Sequence, residues 1–101
     1  MKIKTSELTG AALDWAVAEC EGVNTSQGLT DDERYSTNWA QGGPIVDREG
    51  LSWHCGNKSS WHAYAYGRAE NVSGPTPLIA AMRCYVASKL GDEVDVPEEL
   101  Q

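Results

Sequence analysis

The sequence contains no phenylalanine, and leucine, isoleucine and valine together supply only 17 of its 101 residues. A composition this poor in large aliphatic side chains approaches that of disordered chains. Four tryptophans and four tyrosines compensate, because each aromatic ring buries a large apolar area. The length is typical of one domain, so we expect residues 1–101 to fold as a single globular unit.

Long apolar runs and basic clusters are also absent from the sequence. A membrane-spanning helix needs a run of about 18 apolar residues, and the N-terminus lacks the apolar stretch of a secretory signal, so we expect a cytoplasmic protein. The formal net charge of -7 argues against broad nucleic-acid binding, since phosphate contacts need clustered lysine and arginine. The 15 acidic residues are dispersed and diluted by 8 basic ones, which makes an acidic DNA mimic a weaker alternative.

The three cysteines, Cys20, Cys55 and Cys84, are widely spaced and include no C-x-x-C pair. A structural zinc site needs paired ligands at short spacing. With no export signal, we expect three buried and reduced thiols. We also predict that the protein carries no cofactor.

Two segments have the apolar spacing of helices. The first is predicted over residues 9–21, where Gly22 supplies the stop. The second is predicted over residues 76–90, because Thr76 is a good cap and Pro77 suits the first turn of a helix.

The middle of the chain alternates between apolar and polar residues over 51–55 and again over 61–66. The residues between these two runs are typical of a turn, so the pattern predicts a β-hairpin. Pairing residue 55 with residue 61 places His54 directly opposite His62.

Short strands are expected at Ile3 and at Ile45–Val46, the latter after a turn at Gly42-Gly43-Pro44. Together these elements predict an α+β fold, in which two main helices pack on one face of a small antiparallel sheet.

Residues 35–44 hold the best candidate for a ligand site. Glycines in a turn permit positive φ and expose backbone N–H groups to an anion, and aromatic rings beside amides suit stacking on a base. Arg48 is expected to supply a positive rim for a phosphate. The competing interpretation is that Trp39 fills the core and the glycines only form a turn. The predicted ligand-binding residues are Tyr35, Asn38, Trp39, Gln41, Gly42, Gly43 and Arg48.

The two histidines are suited to metal binding or to general-base chemistry. The sequence places no third ligand or catalytic partner beside them, so we predict no catalytic residue and no metal site. A small hydrolase that uses His54 and His62 remains an alternative.

One face of the predicted sheet lies away from the two helices and would expose rings of a kind enriched at interfaces. Twofold pairing is a common way for a small protein to bury such a face. We therefore predict a homodimer, with His54, His62, Tyr64 and Tyr66 in its interface.

Several stretches of the chain are distinctive: Leu8-Thr-Gly-Ala-Ala-Leu-Asp-Trp-Ala-Val-Ala, Tyr35-Ser-Thr-Asn-Trp-Ala-Gln-Gly-Gly-Pro-Ile45, Thr76-Pro-Leu-Ile-Ala-Ala-Met-Arg83 and the ending Lys89-Leu-Gly-Asp-Glu-Val94. They resemble the NinX family of lambdoid and P22-like bacteriophages, and the resemblance covers nearly the whole chain. It implies a phage accessory protein made early in the infected bacterial cytoplasm. It brings no catalytic residues with it.

The function expected from these observations is non-enzymatic binding that modulates a host component during infection and blunts a host defence. Two versions remain open. The protein sequesters a small nucleotide signal at residues 35–44, or it docks on a host protein through the aromatic hairpin face or the acidic ends. It is expected to bind neither a membrane nor nucleic acid broadly.

Overall fold

The computed structural model describes residues 2–23, 25, 33–57, 60–65, 72–97 and 100. Its elements in chain order are β1 (Lys2–Lys4), a 3-10 turn (Thr5–Glu7), α1 (Gly10–Glu21), α2 (Trp39–Glu49), β2 (Leu51–Asn57), β3 (Ser60–Ala65), β4 (Val72–Gly74), α3 (Pro77–Leu90) and β5 (Glu93–Asp95). The strands form two antiparallel sheets, β2-β3-β4 and β1-β5. The predicted α+β class is confirmed.

Helices α1 and α3 begin and end where their sequence signals predict. Gly22 ends α1 with a φ of 76°, a left-handed conformation that glycine adopts without strain. At the start of α3 the backbone N–H of Ile79 donates to the Thr76 hydroxyl at 3.1 Å. Local capping therefore marks the end of α1 and the start of α3, whereas the side chain of Thr9 makes no capping hydrogen bond at the start of α1.

The hairpin has the predicted register, in which His54 pairs with His62 and Cys55 pairs with Trp61. Leu51 and Ala63 lie on the face covered by α3 and are buried. Of the three cysteines predicted to be buried, Cys84 on α3 is buried, Cys20 on α1 is half-buried, and Cys55, farther along β2, is exposed. Burial therefore follows distance from α3 along the hairpin and not the alternation of β2 alone.

Helix α3 is the centre of the core, with α1 packed against it and the three-stranded sheet on its other side. Gly74 of β4 allows a close approach, since a Cβ there would lie 2.8 Å from the backbone nitrogen of Ala80. The buried residues of α3 are Leu78, Ala80, Ala81, Met82, Cys84, Tyr85 and Val86. Small residues let neighbouring backbones approach closely, and this packing compensates for the scarcity of large aliphatic side chains.

The prediction of a strand at Ile45–Val46 is wrong, because residues 39–49 form helix α2. Asn38 caps this helix by accepting from the N–H of Ala40 at 2.9 Å. Gly42, Ile45 and Val46 share one side of α2 and are buried. Burial at this spacing outweighs the low helix propensity of the Gly-Gly-Pro sequence.

The chain ends come together in the small sheet. Ile3 lies in β1, as expected, and pairs with the buried Val94 of β5. The Thr5 hydroxyl donates to the Gly91 carbonyl at 2.6 Å. These contacts join the N-terminal strand to the end of α3. Within the described ranges, no helix is long and apolar enough to cross a membrane.

Candidate functional site

Two tryptophans lie in contact on the surface where α2 meets β2. Trp39 is the first residue of α2 and Trp53 lies in the middle of β2. Their ring centroids are 5.4 Å apart and the rings are tilted by 47°. Trp39 is 45% exposed and Trp53 is 39% exposed. We refer to these two residues as the Trp patch.

Trp39 separates two shallow depressions. The first has a volume of about 490 Å³ and is lined by Trp39, Gly43, Val46, Asp47, Gly50, Leu51, Ser52 and Trp53. The second has a volume of about 220 Å³ and is lined by Ser36, Thr37, Trp39, Thr76, Leu78 and Ile79. The ring of Trp39 therefore stands between two concave, partly apolar surfaces.

The other residues predicted to bind a ligand in the 35–44 segment have structural contacts. Tyr35 is 9% exposed, and Asn38 caps α2. The side chain of Gln41 accepts from the backbone N–H of Arg34 at 2.5 Å. Gly42 is buried, and a Cβ there would overlap the carbonyl oxygen of Tyr35.

The prediction of a turn at residues 42–44 is also wrong. Among the described residues, positive φ is found at Gly10, Gly22, Gly50 and Gly91, so neither Gly42 nor Gly43 adopts it. Their N–H groups lie within a helix, where they do not form the anion-binding loop that we expected. Trp39, expected either to stack on a ligand or to fill the core, is 45% exposed and therefore does not fill the core.

Arg48 forms a charge network instead of a phosphate rim. Its Nη2 lies 2.6 Å from Glu21 Oε2, and its Nε lies 2.9 Å from Glu49 Oε2. The Tyr85 hydroxyl donates to Glu21 at 2.5 Å. The hydrogen bond from Arg48 holds the pKa of Glu21 below its ordinary value, although burial of that carboxyl opposes the effect. Two carboxylates therefore already neutralise the guanidinium that was expected to bind phosphate.

Asp14 holds the segment that precedes α2 and was not identified from the sequence as part of the site. This residue of α1 is 8% exposed, and its Oδ1 accepts from the backbone N–H of Ser36 at 2.8 Å. Burial raises the pKa of the Asp14 carboxyl, and the hydrogen bonds from Ser36 oppose part of this effect. Asp14, Val17 and Ala18 are buried at helical spacing, and that spacing was the signal available in the sequence.

The second exposed surface is the face of the β2-β3-β4 sheet that points away from α3, which we call the open face. Its described positions are exposed or half-buried, and they are Ser52, His54, Gly56, Ser60, His62, Tyr64 and Ser73. None of these seven positions carries a charged Asp, Glu, Lys or Arg side chain. The interface predicted from the sequence corresponds to this face, except that Tyr66 lies outside the described residues.

A row of three rings crosses the open face. The centroids of His54 and His62 are 5.4 Å apart with nearly parallel planes, and His54 lies 5.8 Å from Tyr64. The part of the chain that the structure describes contains no group of three His, Cys, Asp or Glu side chains placed to hold a metal. One copy of the chain therefore supplies two imidazoles on this face.

The family model described as Bacteriophage P22, NinX, matches residues 4–89 of this chain. The chain belongs to the NinX family of phage proteins. The matched segment includes α1, α2, the hairpin and nearly all of α3, so the Trp patch and both histidines lie within it. A search among curated proteins found no match.

Proposed function

We propose that this NinX protein is a non-enzymatic accessory protein that docks on a host protein through the Trp patch, in the cytoplasm of the infected bacterium. The observation that carries the proposal is the exposure of Trp39 and Trp53 in mutual contact. Tryptophan is the residue most enriched among the energetic hot spots of protein interfaces. A surface that keeps two tryptophans exposed is typical of a binding site.

The shape around the patch supports a protein partner. Depressions on both sides of Trp39 offer room for apolar side chains of the partner. Asp47 lies in the wall of one depression, and the chain has a net charge of -7. We therefore expect the partner to present apolar side chains inside a basic rim, because opposite charges speed association and select the partner.

The nucleotide version of the function has less support. It depended on a glycine turn at residues 42–44 and on a positive rim at Arg48. Residues 42–44 lie in α2, and Arg48 is paired with Glu21 and Glu49. The Trp patch retains the aromatic surface of that hypothesis, but the groups expected to hold a phosphate have other partners.

Site-specific photo-crosslinking tests the docking proposal. A photoreactive phenylalanine analogue replaces Trp39 in one chain and Tyr64, on the open face, in a matched control. In host cells we expect a discrete adduct from position 39. An excess of unlabelled wild-type chain should prevent this adduct by competition, and an excess of the Trp53→Ala chain should not. The identified protein is then titrated calorimetrically with wild type, Trp39→Ala and Trp53→Ala.

The docking proposal is wrong if the two tryptophan variants bind the purified partner as tightly as wild type. It is also wrong if the protein takes up a nucleotide from a panel of linear and cyclic nucleotides in a manner that Trp39→Ala abolishes. If docking blunts a host defence, as we propose, phage carrying Trp39→Ala lose their advantage in a host that has that defence and keep normal growth in a host that lacks it.

We further propose that the protein forms a homodimer across the open face. The supporting observation is that the seven described positions of this face carry no charged side chain in a chain that is 23% charged, while Lys4, Asp92 and Glu93 line the depression beside His62 and Ser73. Interface centres are depleted in charge and enriched in aromatic rings. Two acidic copies repel each other least across such a face. Sedimentation at tens of micromolar chain tests it, with Tyr64→Lys expected to yield monomer and Trp53→Ala to leave the dimer unchanged.

A further inference from the structure

On the open face, the backbone at Gly56 leaves room for the ring of one member of the histidine pair. The ring of His62 lies over Gly56, where a Cβ would come within 2.6 Å of Nε2. The Nδ1 of His62 is enclosed and has no hydrogen-bond partner among the described residues. Coordination of a metal by His62 would therefore use Nε2, because Nδ1 is enclosed. Because His54 is exposed beside it, rotation about its side-chain bonds can bring a second imidazole nitrogen toward the same point.

The donors on this face select a class of metal ion. Cys55 pairs with Trp61 and lies on the other face of the hairpin, so the donors at this point are imidazoles. Imidazole suits zinc, copper and nickel, whereas magnesium and calcium require oxygen ligands. Two imidazoles are half of the tetrahedral set that zinc prefers.

A second copy of the chain supplies the missing half. A twofold axis through the open face brings His54 and His62 of one copy toward the same two residues of the other, because an isologous interface uses the same patch twice. The described part of a single copy holds no third ligand for such a group. We infer that the open face binds a divalent transition-metal ion, of which zinc is the representative, that is shared by the His54–His62 pairs of two copies.

This inference rests on the proposed homodimer and adds a cause for it. Each copy carries a formal charge of -7, so association of two copies is opposed by repulsion over the rest of the surface. A divalent cation bound between the two copies offsets part of that repulsion. The site is incomplete in a monomer, and metal binding and association are therefore linked.

The test titrates the full chain with zinc chloride, followed by calorimetry and sedimentation, with magnesium chloride as the control ion. We expect one zinc ion for every two chains, a lower dissociation constant of the dimer in the presence of zinc, and reversal of that change by a chelator. His54→Ala and His62→Ala should each weaken zinc binding by at least about tenfold, since each removes two of four ligands in the dimer. Cys55→Ser is the matched control and should bind zinc as wild type does.

A further pair of variants tests the positioning by Gly56. Gly56→Ala displaces the ring of His62 and should weaken zinc binding while the far-ultraviolet circular dichroism stays native. Gly43→Ala, whose Cβ would lie 3.8 Å from its nearest neighbour, should leave zinc binding unchanged. Equal zinc affinity of Gly56→Ala and wild type contradicts the assignment of His62 as a ligand.

The outcomes separate the metal site from the dimer on which it rests. A dimer that persists in chelator and takes up no zinc supports the proposed dimer and overturns the metal inference. A chain that stays monomeric with and without zinc overturns both. Zinc bound at one ion per chain without association overturns the sharing of one ion between two copies.

Discussion

Trp39 and Trp53 lie in contact, with ring centroids 5.4 Å apart, although 14 positions separate them in the sequence and both are substantially exposed. The contact depends on two elements, since the cap at Asn38 starts α2 at Trp39 and the register of β2 orients Trp53. A pair of aromatic rings in contact contributes about 0.5–1.5 kcal/mol beyond the area that it buries. The rest of the ring surface remains available to a partner.

The first prediction separates binding from stability at the Trp patch. Trp39→Ala and Trp53→Ala should each lower the free energy of unfolding by less than Trp61→Ala does, because 45% of Trp39 and 39% of Trp53 are exposed already. Each should weaken binding of the cross-linked partner by at least about tenfold. Urea denaturation and calorimetry measure the two effects. Trp61→Ala is the control, since Trp61 packs against the core and its loss should cost about 2 kcal/mol or more.

A second prediction compares two adjacent glycines of α2. Gly43→Ala should raise the free energy of unfolding by about 0.5–1 kcal/mol, because alanine is the better helix former and its Cβ has room. Gly42→Ala should lower it by about 1–3 kcal/mol, because its Cβ overlaps the Tyr35 carbonyl. Thermal and urea denaturation provide the measurement. Destabilisation by both substitutions would instead support the turn that the sequence predicted.

The third prediction concerns the buried carboxyl of Asp14. Asp14→Ala should lower the free energy of unfolding by about 1–3 kcal/mol, because the Ser36 N–H would lose its acceptor inside the protein. Asp14→Asn keeps an oxygen for that N–H and should cost less than Asp14→Ala. Chemical denaturation at pH 7 makes the comparison, and equal losses in the two variants would contradict the role assigned to this hydrogen bond.

Asp14 also has a defined pH dependence. Burial raises its pKa in the folded state above the ordinary value of 3.8, so the folded protein holds this proton more tightly than the unfolded chain does. Its contribution to stability is therefore present at low pH and is lost as the pH rises through the raised folded pKa. Asp14→Asn should remove this contribution to the pH profile of the free energy of unfolding.

The fourth prediction concerns Glu21, whose contribution to stability depends on pH in the opposite direction to that of Asp14. The hydrogen bond from Arg48 lowers the folded pKa of Glu21 below its ordinary value of 4.5. The resulting stabilisation is complete above that ordinary value and is lost as the pH falls through the lowered folded pKa. Glu21→Gln should therefore cost about 1 kcal/mol at pH 7 and progressively less in acid, since Arg48 is half exposed. Denaturation curves between pH 3 and pH 7 test this. A loss that does not change with pH would show that the Tyr85 contact, and not the charge, is the cause.

Parts of the candidate site followed from the sequence and parts did not. The pairing of His54 with His62 was predictable, because alternation and turn residues set the register of a hairpin within a short stretch of chain. The network of Arg48 with Glu21 was not, because the two residues are 27 positions apart and meet only when α1 and α2 pack. The same long-range packing buries Asp14, a residue whose type favours exposure.

The sequence by itself determined α1, α3 and the β2-β3 hairpin, since caps, breakers and periodicity act over a few residues and do not depend on distant neighbours. Tertiary structure decided that residues 39–49 form a helix, because the burial of Gly42, Ile45 and Val46 outweighs what Gly-Gly-Pro favours locally. It also decided which aromatic rings remain on the surface. Exposure of Trp39 and Trp53 depends on how α2 packs against β2 and α3, and that is a property of the packed fold.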